Sequence, residues 1–223
     1  MDWTNWKHIT KLDPDRPISK ETVKAVAESG TDAIIVSGTQ NITSPKIAKL
    51  IEMLKEYKIP KVLEPVHPSL IKYEPFDSVF VPTVINSNEL LFTIGIHRDW
   101  VKNYEVKWEK IVPEAYIVLN PNSAVGRLTK VKAIGLEETV AYAICAERYF
   151  GFPIVYIECS GMYGNPETVR AVGEKLEKAT LFYGGGIDSG EKATEMKKYA
   201  DAIIVGNVLY EKGIDKYLET IVE

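Results

Sequence analysis

Two apolar runs near the C-terminus end in glycine and pass straight into helix-like sequence. They are Tyr183-Gly184-Gly185-Gly186-Ile187-Asp188 and, about twenty residues on, Ile203-Ile204-Val205-Gly206-Asn207. Glycine lets backbone N–H groups come close to an anion, and a following helix N-terminus adds the positive end of its dipole. Consecutive strand ends of this kind, late in a chain that alternates strand and helix, are how a TIM barrel holds a phosphate. A doubly wound open sheet has the same alternation but places its glycine loop elsewhere. The expectation is an α/β modified TIM (β/α)8 barrel with a phosphorylated ligand at its top.

The alternation runs through the chain. Strands are predicted at Lys7–Leu12, Ala33–Ser37, Lys61–Glu64, Ser78–Val81, Ala115–Leu119, Ile154–Glu158, Leu181–Tyr183 and Ala202–Val205. Helices are predicted at Glu21–Ser29, Pro45–Tyr57, Asn88–Gly95, His97–Trp108, Leu136–Tyr149, Pro166–Leu176, Ser189–Tyr199 and Ile214–Val222. Their starts carry capping residues or proline, and apolar residues recur on one face, as at Ile47, Leu50, Ile51 and Leu54. The third unit breaks the pattern, because Pro65–Asp77 carries three prolines and no helical period, so a loop or extended piece replaces that helix. No linker or composition shift divides the chain, so residues 1–223 are expected to form one barrel domain.

Bulk properties exclude several classes. A net charge of −4 offers no basic stripe for nucleic acid. No run reaches the roughly 18 apolar residues of a membrane span, and the N-terminus lacks the parts of a signal peptide. Two cysteines, Cys145 and Cys159, make no disulfide framework or zinc spacing, and a cytoplasmic setting is expected. Nucleophile-elbow, Walker and dinucleotide-binding motifs are missing. His8, His67 and His97 have no metal-ligand spacing and read as packing or surface residues.

Reactive groups in such barrels sit at C-terminal strand ends. The first strand ends Lys11-Leu12-Asp13-Pro14-Asp15, and alternation sends Lys11 and Asp13 to one side. There a lysine can neutralise phosphate and an aspartate can hold Mg²⁺, although Asp-Pro-Asp is equally ordinary turn composition. The second ends in the small, hydroxyl-bearing Ser37-Gly38-Thr39-Gln40-Asn41, while Asn120 to Ser123 after the fifth reads as a turn. The sixth ends Tyr156-Ile157-Glu158-Cys159-Ser160-Gly161. A carboxylate closing so apolar a strand is costly without a partner. At the rim Glu158 is either a proton acceptor for a substrate hydroxyl or the partner of a cation such as Lys11.

Together these five ordered motifs, with Trp6-Lys7-His8-Ile9-Thr10 before them and Val81-Pro82-Thr83-Val84 between, resemble the geranylgeranylglyceryl phosphate synthase family, PcrB-like proteins included, over essentially the whole chain. The archaeal type is the closer match. That resemblance implies an Mg²⁺-dependent prenyltransferase joining sn-glycerol 1-phosphate to geranylgeranyl diphosphate, with release of diphosphate. It implies that Lys11, Tyr156, Ile157, Glu158, Cys159, Ser160, Gly161, Gly186, Gly206 and Asn207 hold glycerol 1-phosphate. It also implies Asp13 and Thr39 at the metal, Glu158 as base, and Trp100 as the floor of a prenyl groove walled by the segment after the third strand.

Trp100 reads equally as core packing of its helix, and a longer heptaprenyl donor is the alternative if the floor is open. The family commonly has tyrosine where this chain has Cys159. Alternation turns that side chain away from Glu158, so altered packing with intact catalysis is expected. A homodimer and peripheral membrane contact are further expectations. The rival readings are another phosphate-handling barrel enzyme, such as a phosphosugar isomerase or a tryptophan- or histidine-pathway enzyme, and a non-catalytic binder.

Overall fold

Eight parallel strands close into a barrel in chain order in the computed structural model, which describes residues 2–222. The strands are β1 (His8–Leu12), β2 (Ala33–Val36), β3 (Lys61–Leu63), β4 (Ser78–Val84), β5 (Ile111–Val118), β6 (Ile154–Glu158), β7 (Thr180–Gly184) and β8 (Ala202–Val205). Closure comes from β8 pairing with β1, His8 opposite Ile203 and Thr10 opposite Val205.

Outside lie α1 (Lys20–Ala27), α2 (Ser44–Leu54), α3 (Ile96–Asn103), α4 (Ala124–Thr129), α5 (Leu136–Arg148), α6 (Pro166–Gly173), α7 (Gly190–Met196), α8 (Asn207–Glu211) and α9 (Ile214–Leu218). Between β3 and β4 there is only a single 3-10 turn at Pro68–Leu70, so the helix anticipated as missing is replaced by irregular chain.

Side-chain alternation divides the apolar residues into two cores. Outward-facing Val36, Leu63, Ile117, Val155, Ile157 and Cys159 pack under the helices with Leu50, Leu54 and Val172. Inward-facing Ile35, Val62, Phe80, Tyr116, Tyr156 and Phe182 fill the barrel. Its N-terminal end is shut by aromatic stacking, Trp6 on Phe80 at 6.1 Å and Phe80 on Phe182 at 6.4 Å between ring centres. Access to the interior is therefore from the C-terminal end of the strands.

The structure corrects several predicted elements. β5 begins at Ile111, four residues before the expected Ala115, and β4 runs three past Val81. The helix expected over His97–Trp108 ends at Asn103, and the stretch before it is a π-helical turn at Leu91–Gly95 continuous with α3. A helix not foreseen, α4, follows β5. Ser123, read as turn sequence, caps it by accepting a hydrogen bond from the Gly126 N–H at 3.0 Å.

Candidate active site

The C-terminal strand ends surround one cleft of about 890 Å³. Its polar half is lined by Lys11, Asp13, Glu64, Tyr116, Tyr156, Glu158 and the glycine ends of β7 and β8. Its apolar half is lined by Val66, Pro68 and Ile71 from the irregular segment, and by Phe92, Ile96, Trp100 and Leu128.

Lys11, Tyr156 and Glu158 meet at the centre, joined by two residues that strand-end reading passed over. Lys11 Nζ sits 2.9 Å from Glu64 Oε2 and donates to the Tyr116 hydroxyl oxygen at 2.8 Å. It also lies 5.0 Å from the centre of the Tyr156 ring. The cation that was weighed as a partner for Glu158 is thus paired with Glu64. Burial works against the charge on Lys11, but Glu64 and then Glu158 outweigh it and raise the ammonium above its ordinary value. Burial, then Glu64, pushes the Tyr116 phenol well above its ordinary range. Burial, then Glu158, does the same to Tyr156, so both hydroxyls stay neutral donors.

Glu158 is buried at the end of β6, and its Oε1 accepts the Ser160 N–H at 2.6 Å. The loop after it is held by Asn120, whose Nδ2 donates to the Ser160 carbonyl at 2.7 Å. Asn120 thus has the structural role its turn-like context suggested. Below them Glu114 is fully buried inside the barrel, and neither carboxyl oxygen has a hydrogen-bond partner.

The glycine rim has the form an anion needs. Gly184 has no room for a side chain, since a Cβ would fall 2.2 Å from the Tyr156 hydroxyl. Gly186 adopts φ +60°, where a side chain is strained, and a Cβ there would meet the Tyr163 backbone at 2.5 Å. Gly206 and Asn207 open α8 across the rim, and Asn207 Oδ1 accepts from Arg16 Nη1 at 3.2 Å. Arg16 stacks on the Tyr210 ring at 4.2 Å, and Lys192 donates to the Gly186 carbonyl at 3.3 Å. These two cations, missed in the sequence because they stand in loop and helix rather than at a strand end, are the ones beside the glycines. Lys11 is committed deeper in the cleft.

Ile157 and Cys159, both included among the binding residues by the resemblance, do not line the cleft. They point outward into the helix-facing core, as β alternation requires. Any contribution of theirs is through the backbone. The Cys159 thiol is pushed up to about 12, chiefly by burial, and is inert as a nucleophile.

Asp13 and Thr39 both line the cleft. Asp13 Oδ1 accepts the Asp15 N–H at 2.9 Å, and its own N–H donates to the Tyr210 hydroxyl at 2.9 Å. Gly38 backs against it so closely that a Cβ would lie 2.5 Å from Oδ1. Burial, opposed by the Asp15 N–H and joined by the Asp15 charge, raises the Asp13 carboxyl above its usual value, a cost a cation would relieve. Among the described residues no three His, Cys, Asp or Glu side chains form a metal cage. One carboxylate beside a hydroxyl fits Mg²⁺, which keeps waters and takes further oxygens from substrate phosphates.

Trp100 is buried on α3 with its indole N–H unpaired, and it lies at once in the helix-facing core and on the cleft wall. Both readings of that residue therefore describe the same position. Among the described residues no helix is long and apolar enough to cross a membrane.

Known proteins share this architecture and sequence. A protein of Methanospirillum hungatei named geranylgeranylglyceryl phosphate synthase is 52% identical, over 98% of this chain and 96% of its own length. One of the same name from Methanocella arvoryzae is 53% identical, over 100% and 99%. Among solved structures, (S)-3-O-geranylgeranylglyceryl phosphate synthase from Thermoplasma acidophilum, crystallised with its substrate sn-glycerol-1-phosphate, superposes with a TM-score of 0.84 at 27% identity. That match covers 98% of this chain and 92% of the other. The pattern that defines the PcrB family matches residues 1–223, and this barrel, with its glycine rim and acid-phenol cluster, belongs to that family.

Proposed function

We propose that this chain is an ether-forming prenyltransferase that joins sn-glycerol 1-phosphate to geranylgeranyl diphosphate, giving 3-O-geranylgeranylglyceryl phosphate and diphosphate. The observation that carries this reading is that one cleft combines a glycine anion rim, a buried carboxylate and a long apolar arm. A phosphosugar isomerase has no use for the apolar arm. The names and the bound substrate of the related proteins point the same way.

The phosphate sits on the Gly185–Gly186 and Gly206–Asn207 backbone with Arg16 and Lys192 beside it. The free hydroxyls then point toward Glu158, Tyr116 and Lys11. This turns an encounter of two substrates into a positioned attack. Glu158 takes the proton from the attacking hydroxyl as its oxygen bonds to the first prenyl carbon and the bond from that carbon to diphosphate breaks. Asp13 and Thr39 would hold Mg²⁺, which when bound supplies charge neutralisation for the diphosphate leaving group. Closure of the barrel floor by Trp6 and Phe80 keeps water from reaching the reacting carbon from below.

Incubating the protein with radiolabelled geranylgeranyl diphosphate, glycerol 1-phosphate and Mg²⁺ is expected to give acidic lipid-extractable label and stoichiometric diphosphate. Label that appears only as free prenyl alcohol rejects the reading. Chelation of Mg²⁺ is expected to abolish ether formation without displacing glycerol 1-phosphate.

Donor length is assigned to Trp100, a buried residue of α3 on the apolar wall of the cleft. Trp100→Ala is expected to admit a longer heptaprenyl donor and to raise its kcat/KM relative to the C20 donor. The same change removes a buried indole and costs roughly 3–5 kcal/mol of stability, so the comparison is made below the lowered Tm. An unchanged ratio between donors assigns Trp100 to core packing alone.

A further inference from the structure

Glu64 directly follows β3 and Glu158 ends β6, and the two carboxylates share one phenol between them. The Tyr116 hydroxyl oxygen lies 2.8 Å from Glu64 Oε1 and 3.4 Å from Glu158 Oε2. It already accepts a hydrogen bond from Lys11 Nζ, so it has a single proton to give. At these distances that proton goes to Glu64. Ser37 Oγ also donates to Glu64 Oε1, at 3.1 Å, and the Lys11 ammonium lies against its other oxygen at 2.9 Å. The cluster's donors thus converge on the carboxylate that does not face the glycine rim.

We infer that Glu64 is a positioning residue for ether formation: by drawing the Tyr116 proton and the Lys11 ammonium to itself, it keeps them from Glu158, which can then receive the substrate's hydroxyl proton. That role rests on the assignment of Glu158 as the base. Its physical content is a competition. If Glu64 loses its charge, the Tyr116 hydroxyl turns to the nearer remaining carboxylate and donates to Glu158. Lys11 then finds in Glu158 its closest counter-charge. Both changes place a donor on the oxygen that would otherwise take the substrate's proton. The other groups around Glu158 are Glu114 on β5, Tyr156 on its own strand, and Cys159 and Tyr183 behind it. Of these only Glu114 and Tyr156 share the barrel interior; the Tyr156 hydroxyl bonds with Glu158 whether or not Glu64 is charged, so it is common to parent and variants.

The test is E64Q in the full chain, assayed for labelled ether with both substrates across the pH range. The acid limb of the kcat profile is expected to move to lower pH. Turnover at neutral pH should fall at least roughly tenfold, with KM for glycerol 1-phosphate little changed. Adding Y116F removes the hydroxyl that turns toward Glu158, so E64Q/Y116F is expected to recover part of the loss and move the limb back. A merely structural Glu64 gives additive losses and an unmoved limb. E64D, whose shorter reach loosens the Tyr116 bond, should shift the limb the same way by less, and it carries the test if E64Q does not fold. An unmoved acid limb in the variant that folds, or a double variant no better than E64Q, overturns the role. E158Q measured alongside separates the two failures: full turnover in E158Q removes the base itself, whereas inactive E158Q with an unmoved E64Q removes only the positioning.

Discussion

Glu158→Gln is expected to lower turnover by about 10²–10⁴-fold, the usual worth of a positioned general base, while glycerol 1-phosphate affinity stays close to that of the parent. The substitution is nearly isosteric, which is why the outcome is informative. The glutamine carbonyl oxygen can keep the hydrogen bond that Oε1 accepts from the Ser160 N–H, so the loop leading to Gly161 holds its shape. The new amide faces the Tyr116 hydroxyl oxygen, which can accept from it. The proposed phosphate contacts come from backbone at the ends of β7 and β8, which the substitution does not replace. Only proton acceptance is lost, so the defect belongs in kcat and not in the binding constant. Single-turnover formation of labelled ether, with calorimetric binding of glycerol 1-phosphate, separates the two. A variant that turns over like the parent takes Glu158 out of the chemistry. A variant that loses binding in proportion makes it a ligand for the substrate and nothing more.

The barrel was legible because its strands carry the signal that closure requires, apolar runs of which most are followed by helix-like sequence. Where the signal failed, the reason is local. Ile111-Val112-Pro113-Glu114 reads poorly as strand because proline removes a donor and a carboxylate is costly in a core. In the fold Pro113 is exposed and Glu114 is accommodated inside the barrel, so the strand tolerates both. α4 was hidden because Ser123 caps a helix of only six residues, too short for a period to show.

Within the site, alternation along β6 told Tyr156 and Glu158 apart from Ile157 and Cys159, since successive side chains take opposite faces. Pairing across the barrel could not be read in the same way. Lys11 and Glu64 are separated by 53 positions, and nothing local says that this lysine meets the acid of β3 and not that of β6. The signal that was available is a repeated one: Val62-Leu63-Glu64 ends as Tyr156-Ile157-Glu158 does, with an acid closing an apolar strand. Tyr116 is directly opposite Tyr156 in the β5–β6 register, a relation that exists only once the sheet is formed.

Glu114 is expected to make the stability of this barrel fall as pH rises above the ordinary carboxylate range, and Glu114→Gln is expected to remove its share of that fall. Its carboxyl is fully buried with both oxygens unpartnered. Burial first and then the charge of Glu64 raise it well above the ordinary carboxylate range, with Lys11 opposing them and Glu158 adding a smaller push upward. A folded chain that binds this proton more tightly than the unfolded chain has the full benefit below the unfolded value, about 4.3. It loses that benefit progressively as pH climbs toward the folded value, at up to about 1.4 kcal/mol per pH unit for one proton. Glutamine has the shape of the protonated acid and no charge to gain. Parent and variant should therefore melt together at acid pH and diverge above it, with the variant the more stable. Denaturant midpoints measured on both across that range give the answer, because the remaining carboxylates are common to the two and cancel in the difference. Curves that stay parallel from acid to neutral pH show that Glu114 ionises in the folded barrel at no extra cost, and that a partner for it lies inside.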